Sequence, residues 1–111
     1  MSELVAAFYR FAALEDLPHL QQELVTLAEA QGVRGTILLA AEGVNGTIAG
    51  VDASVHALLA RLRQVAGLER LEAKFSRSDT QPFHRLKVRL KREIVTMGEP
   101  AIDPAASAGT Y

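Results

Sequence analysis

The sequence of 111 residues contains no cysteine. It therefore offers no disulfide, no thiolate metal site and no sulfur nucleophile. No apolar run reaches the roughly 18–20 residues that cross a bilayer. The N-terminus, Met1-Ser2-Glu3-Leu4, has no basic segment ahead of an apolar one and does not read as a secretory signal. A cytoplasmic location, with no membrane partner, is the expectation. Internal repeats and low-complexity blocks are absent, and no glycine-rich strand-to-helix loop suggests a nucleotide fingerprint. His19, His56 and His84 show no ligand spacing and no acid–histidine cluster, so no metal is expected. Ser76, Ser78 and Thr80 share a polar loop without a convincing base beside them. On these grounds the chain is assigned no catalytic residue, no cofactor and no metal of its own.

What is present describes one globular domain. Hydrophobic residues make up 49% and charged residues 23%, an ordinary balance for a chain that buries a core. The charge is unevenly divided. Residues 1–73 hold nine acids and five Lys/Arg, whereas residues 74–111 hold four acids and seven Lys/Arg. A basic C-terminal part points to an anionic partner, or to nothing more than a biased surface.

Periodicity gives the elements. Residues 5–11 (VAAFYRF) read as a first strand. Asp16 suits an N-cap, Pro18 a first turn, and Leu17, Leu20, Leu24, Leu27 and Ala28 recur at helical spacing up to Gly32. Residues 34–41 (RGTILLAA) form a buried strand, and Asn45-Gly46 suits a type I′ hairpin turn into a strand that Gly50 closes. Asp52 is the second N-cap, and Val55, Leu58, Leu59, Leu62 and Val65 the apolar stripe of a second helix ending at Gly67. Leu71, Ala73 and Phe75 alternate with polar residues in a fourth strand. Residues 76–84 are a polar loop, and Leu86, Val88 and Leu90 alternate with cations in a fifth strand-like segment. A short apolar stretch, 94–97, precedes an Ala/Gly-rich tail. The order β-α-β-β-α-β is the split βαβ, ferredoxin-like signature. The expected fold is therefore α+β: an antiparallel sheet with two helices on one face and the other face free. Residues 1–98 form the domain and 99–111 a linker.

Two groups of residues are candidates for a site. Arg85, Lys87, Arg89, Lys91 and Arg92 lie within eight positions, and the odd-numbered four share one side of a strand. Such a row can track a phosphate backbone, and it equally suits an edge strand protected by charge against aggregation. No aromatic alternates with these cations, so base stacking is not indicated. Glu42 and Asn45 form the second group: an acid or base and a carbonyl-polarising donor, or plain turn chemistry. The fold class also raises an acylphosphatase-like hydrolase. Such enzymes hold phosphate in a glycine-rich loop after the first strand, together with an Arg and an Asn. Here Tyr9-Arg10-Phe11-Ala12-Ala13 has no glycine, and Arg10 with Asn45 is a forced match.

Two segments carry a family resemblance. Residues 35–50 (GTILLAAEGVNGTIAG) and the run from Pro82-Phe83 through Leu86-Lys87-Val88-Arg89-Leu90-Lys91-Arg92-Glu93-Ile94-Val95-Thr96-Met97-Gly98 resemble the N-terminal domain of the YceA-type, rhodanese-related tRNA uridine hydroxylases (TrhO). The tail Ala108-Gly109-Thr110-Tyr111 resembles the approach to that family's next domain. The resemblance implies a longer parent enzyme whose rhodanese domain carries a single reactive cysteine, and oxygen-dependent 5-hydroxylation of the tRNA wobble uridine. Within such an enzyme this domain is expected to be inactive alone and to help bind or position tRNA through the 85–92 cations. Alternatively, it is a scaffold that completes the rhodanese active site, with Glu42 and Asn45 facing the other domain. The implied partners are tRNA and the C-terminal rhodanese domain.

Overall fold

The computed structural model describes residues 3–91. Arg92, the 94–97 stretch and the 99–111 linker lie outside the described residues. The elements are β1 (Glu3–Phe11), α1 (Leu17–Gln31), β2 (Arg34–Ala40), β3 (Gly43–Gly50), α2 (Asp52–Arg63), β4 (Ala73–Ser78) and β5 (Leu86–Leu90). They make a sheet in the order β4-β1-β3-β2-β5, with both helices against one face. The expected split βαβ architecture is present, with one difference. The pairs β1–β3, β1–β4 and β2–β3 are antiparallel, but β5 runs parallel to β2, so the sheet is mixed. The connection from β4 at one edge to β5 at the other crosses the whole sheet, and this sets the strand direction.

The alternation of β1 shows how the sequence sorts its two faces. Leu4, Ala6 and Phe8 are buried and join the helix-side core, while Val5, Ala7 and Tyr9 point to the opposite face and stay half-buried. Ile37 and Leu39 of β2, Val44 and Ile48 of β3, and Val88 of β5 complete the core floor. Leu20, Leu24 and Ala28 of α1 and Val55, Leu58, Leu59 and Leu62 of α2 close it from above. β5 is tied to α1 by a hydrogen bond from Gln21 Nε2 to the Val88 carbonyl at 2.6 Å. The loop before β5 is pinned by Gln81, whose amide donates to the Ala49 carbonyl at 3.1 Å.

Four local expectations are corrected. The hairpin does not turn at Asn45-Gly46; both residues lie inside β3, and the two-residue turn is Ala41-Glu42. Gly46 is required for another reason. It pairs with Phe8 across the β1–β3 ladder, and a Cβ there would stand 2.8 Å from Phe8 Cζ and 2.6 Å from the Thr36 carbonyl oxygen. The glycine makes room for an aromatic ring. Asp16 does sit at the α1 N-cap, but with φ 53° and without a side-chain capping bond. A capping side chain works from an extended backbone, and Asp16 is left-handed. Asp52 is the first residue of α2 rather than its cap, a place taken by extended Val51. Its carboxylate is taken by Arg77 instead. The fourth strand begins at Ala73, after buried Leu71, and Phe75 is half-exposed at the β4 edge.

Candidate nucleic-acid interface

The strand register fixes which side chains share the helix-free face. One transverse row is Lys74 (β4), Ala7 (β1), Thr47 (β3), Thr36 (β2) and Lys87 (β5). The neighbouring row is Tyr9, Asn45, Leu38 and Arg89. Lys87 and Arg89 lie on this face because Val88 between them is buried in the helix-side core. Arg85, Lys87 and Arg89 are exposed and Lys91 is half-buried. Among the described residues, Arg85, Lys87, Arg89 and Lys74 form no ion pair.

The helix side differs in its electrostatics. Arg61 of α2 reaches Glu23 of α1 at 2.5 Å, with His19 on the same carboxylate at 3.3 Å. Arg77 of β4 grips Asp52 with both guanidinium nitrogens, at 2.7 and 2.6 Å. That contact holds the Asp52 carboxyl below the usual carboxylate range and raises Arg77. The Glu69 carboxyl is also lowered, first by a bond to its own backbone N–H and then by the Gly67 N–H. The ion pairs tie elements together and leave Arg61 and Arg77 committed to carboxylates.

Asn45 and Glu42 differ sharply in exposure. Asn45 is only 1% exposed and sits between Tyr9 and buried Leu38 in the transverse row of the helix-free face. Glu42 is exposed in the hairpin turn. Its carbonyl accepts the Ala12 N–H, and the Ala41 carbonyl accepts the Leu14 N–H, both at 2.9 Å. Two amides of the β1–α1 connection are thereby occupied at the place where an acylphosphatase-like enzyme would present them to phosphate. Arg10 pairs with Val44 and Asn45 with Tyr9, so Arg10 and Asn45 project from opposite faces of the sheet. The acylphosphatase alternative therefore lacks both its cradle and its residue pair. Among the described residues no group of three His, Cys, Asp or Glu is placed to hold a metal, and no helix is long and apolar enough to cross a membrane.

Sequence reasoning missed the aromatic part of this face. Tyr9 and Phe11 stand two apart on β1, with ring centroids 5.1 Å apart in an edge-to-face arrangement. Phe11 is 56% exposed. Beside them a concavity of about 370 Å³ is lined by Ala7, Phe8, Tyr9, Glu72, Ala73 and Lys74. The available signal is the odd-position alternation of β1, which puts Tyr9 and Phe11 on one face.

The sheet order and the two helices on one face define an acylphosphatase-like α+β domain. Residues 4–94 match the UPF0176 acylphosphatase like domain, and the chain belongs to that family. It is 56% identical over 108 residues to a tRNA uridine(34) hydroxylase of Albidiferax ferrireducens, covering 97% of this chain and 34% of that protein. It is 52% identical over 107 residues to one of Mesorhizobium japonicum, covering 96% of this chain and 35% of that protein. The chain thus spans about a third of the length of the curated relatives it matches. Among solved structures, BlrP1 BLUF aligns with a TM-score of 0.63 at 13% identity, covering 83% of this chain and 65% of the other. An acylphosphatase from Coxiella burnetii aligns with a TM-score of 0.55 at 11% identity, covering 79% and 93%. Such distant likenesses show the fold alone.

Proposed function

We propose that this chain is the non-catalytic N-terminal domain of a cytoplasmic, rhodanese-type enzyme that 5-hydroxylates the wobble uridine of tRNA. Its contribution is to bind or position the tRNA. The observation that supports this reading is the pair Lys87 and Arg89, exposed on the helix-free face without counter-charges among the described residues. A cation already held by a carboxylate must give up that partner to take a phosphate; these two need give up only water and counterions. The family relatives, named as tRNA uridine(34) hydroxylases, supply the class of polyanion.

Filter binding of tRNA to the chain at low and moderate salt tests the proposal. Each cation that meets a phosphate contributes about 0.7 to the slope of log affinity against log salt on a single strand, and about 0.9 on a duplex with the charge density of B-DNA. Lys87→Ala, Arg89→Ala and Lys91→Ala together are expected to weaken binding and flatten that slope by about 2–3. Unchanged affinity and slope in the triple variant would remove the β5 cations from the interface.

A further inference from the structure

We propose that the helix-free face is a binding site for single-stranded RNA, with one base seated in the concavity between β1 and β4 beside Tyr9. This deepens the reading of the chain as a tRNA-positioning domain and rests on it. The argument starts from the transverse row. Lys74 and Lys87 stand at opposite edges of the sheet, with the half-buried hydroxyls of Thr47 and Thr36 between them. Five strands set about 19 Å apart at their outer members give a track with a cation at each end and hydroxyl groups in the middle. That is a surface for a phosphate–sugar backbone, with hydroxyls as neutral partners for phosphate oxygens.

The flanking row explains why the ligand is single-stranded. Phe11 presents an exposed ring and Tyr9 a half-buried one, on the same face and in edge contact. Aromatic rings on a sheet bind unpaired bases by stacking, whereas paired bases hide their faces. The concavity next to Tyr9, about 370 Å³, is large enough for a nucleoside. Its charged lining sorts the ligand's parts. The Glu72 carboxylate repels a phosphate but accepts a hydrogen bond from a base N–H, while Lys74 takes the phosphate that follows. Uracil N3–H, guanine N1–H and the amino groups of cytosine and adenine can each donate to that carboxylate.

The chain has two tyrosines, Tyr9 and Tyr111, and no tryptophan. In a Tyr111→Phe background Tyr9 is the sole fluorophore of its kind. Titration with an oligouridylate of about twelve nucleotides is expected to quench Tyr9 emission on saturation. Phe11→Ala is expected to weaken that binding on the order of tenfold, and Lys74→Ala severalfold, with far-UV circular dichroism unchanged because both residues are exposed. A duplex of the same length should compete poorly. The proposal is overturned if oligouridylate binds without changing Tyr9 emission and Phe11→Ala stays within twofold of the parent. It is also overturned if tRNA binds through Lys87 and Arg89 while the single strand and the duplex compete equally. In those two cases the tRNA-positioning role stands and only the base site falls. If neither tRNA nor oligouridylate binds, both readings fall together.

Discussion

The two faces of the sheet use the same residue types to opposite ends. On the helix side Arg61 is held by Glu23, and Arg77 by Asp52. On the other side Lys74, Lys87 and Arg89 carry the same charge with no carboxylate partner among the described residues. The aromatics divide similarly. Phe8 is 3% exposed and fills the gap over Gly46, whereas Phe11, three residues later on the same strand, is 56% exposed. A polar or aromatic side chain that is satisfied internally contributes to the fold. One left unsatisfied at the surface is available to a partner. The comparison predicts that substitutions in the helix-side core change stability, and that those of exposed side chains on the other face change binding and leave stability nearly untouched.

The largest separation should come from core truncation. Leu24 and Leu58 are fully buried between helices and sheet. Leu24→Ala or Leu58→Ala is expected to destabilise the domain by about 2–5 kcal/mol, read by urea unfolding. Thr47→Val, on the helix-free face, keeps the β-branched shape and should stay within about 0.5 kcal/mol of the parent. A comparable loss in both variants would show that the second face is part of the core.

Gly46→Ala tests the core from the side of excess volume. The added methyl would meet Phe8 Cζ and the Thr36 carbonyl oxygen inside van der Waals distance. A loss of about 1–3 kcal/mol is expected, typical of overpacking. Phe8→Leu in the same chain should recover part of it, because a smaller side chain vacates the space. If Gly46→Ala were neutral, the ring would not lie where the β1–β3 register puts it.

Gln21→Ala separates fold from function at the β5 edge. The side chain donates to the Val88 carbonyl from α1, and its removal should cost about 1 kcal/mol. It should also weaken RNA binding modestly, since β5 carries Lys87 and Arg89. Lys87→Ala with Arg89→Ala should show the reverse pattern, a stability within about 0.5 kcal/mol and a clear loss of binding.

Much of this contrast was legible in the sequence, and the illegible part has physical causes. Apolar spacing found all seven elements, because burial imposes a period on each helix and strand. It found β5's cations for the same reason. It failed at Asn45-Gly46, because Asn-Gly is a turn signal when neighbours are unknown, and only the sheet reveals that Phe8 claims the space above that glycine. It failed on the direction of β5, because the periodicity of a strand is identical in parallel and antiparallel pairing. It kept the β1 aromatics and the β5 cations apart. Those strands are separated by more than seventy positions, and only the order β4-β1-β3-β2-β5 sets them on one face.

The smallest expected effect belongs to the exposed Asp52–Arg77 pair, and pH isolates it. The guanidinium holds the Asp52 carboxyl below its ordinary value, so the folded chain binds fewer protons there than the unfolded chain. The stabilisation is therefore fully present above the unfolded carboxylate pKa. It is lost as pH falls through the lower folded value. Glu69, lowered by backbone N–H bonds, acts in the same direction. Thermal unfolding followed from pH 7 down to pH 2 should show a decline that Asp52→Asn makes shallower, while removing stability at neutral pH only slightly because the pair is open to solvent. Lys87→Ala should leave the shape of that curve unchanged, since the lysine engages no carboxylate among the described residues. A curve reshaped by Lys87→Ala would mean that the helix-free face also pairs its charges in solution, and the contrast between the two faces would then fail at its electrostatic root.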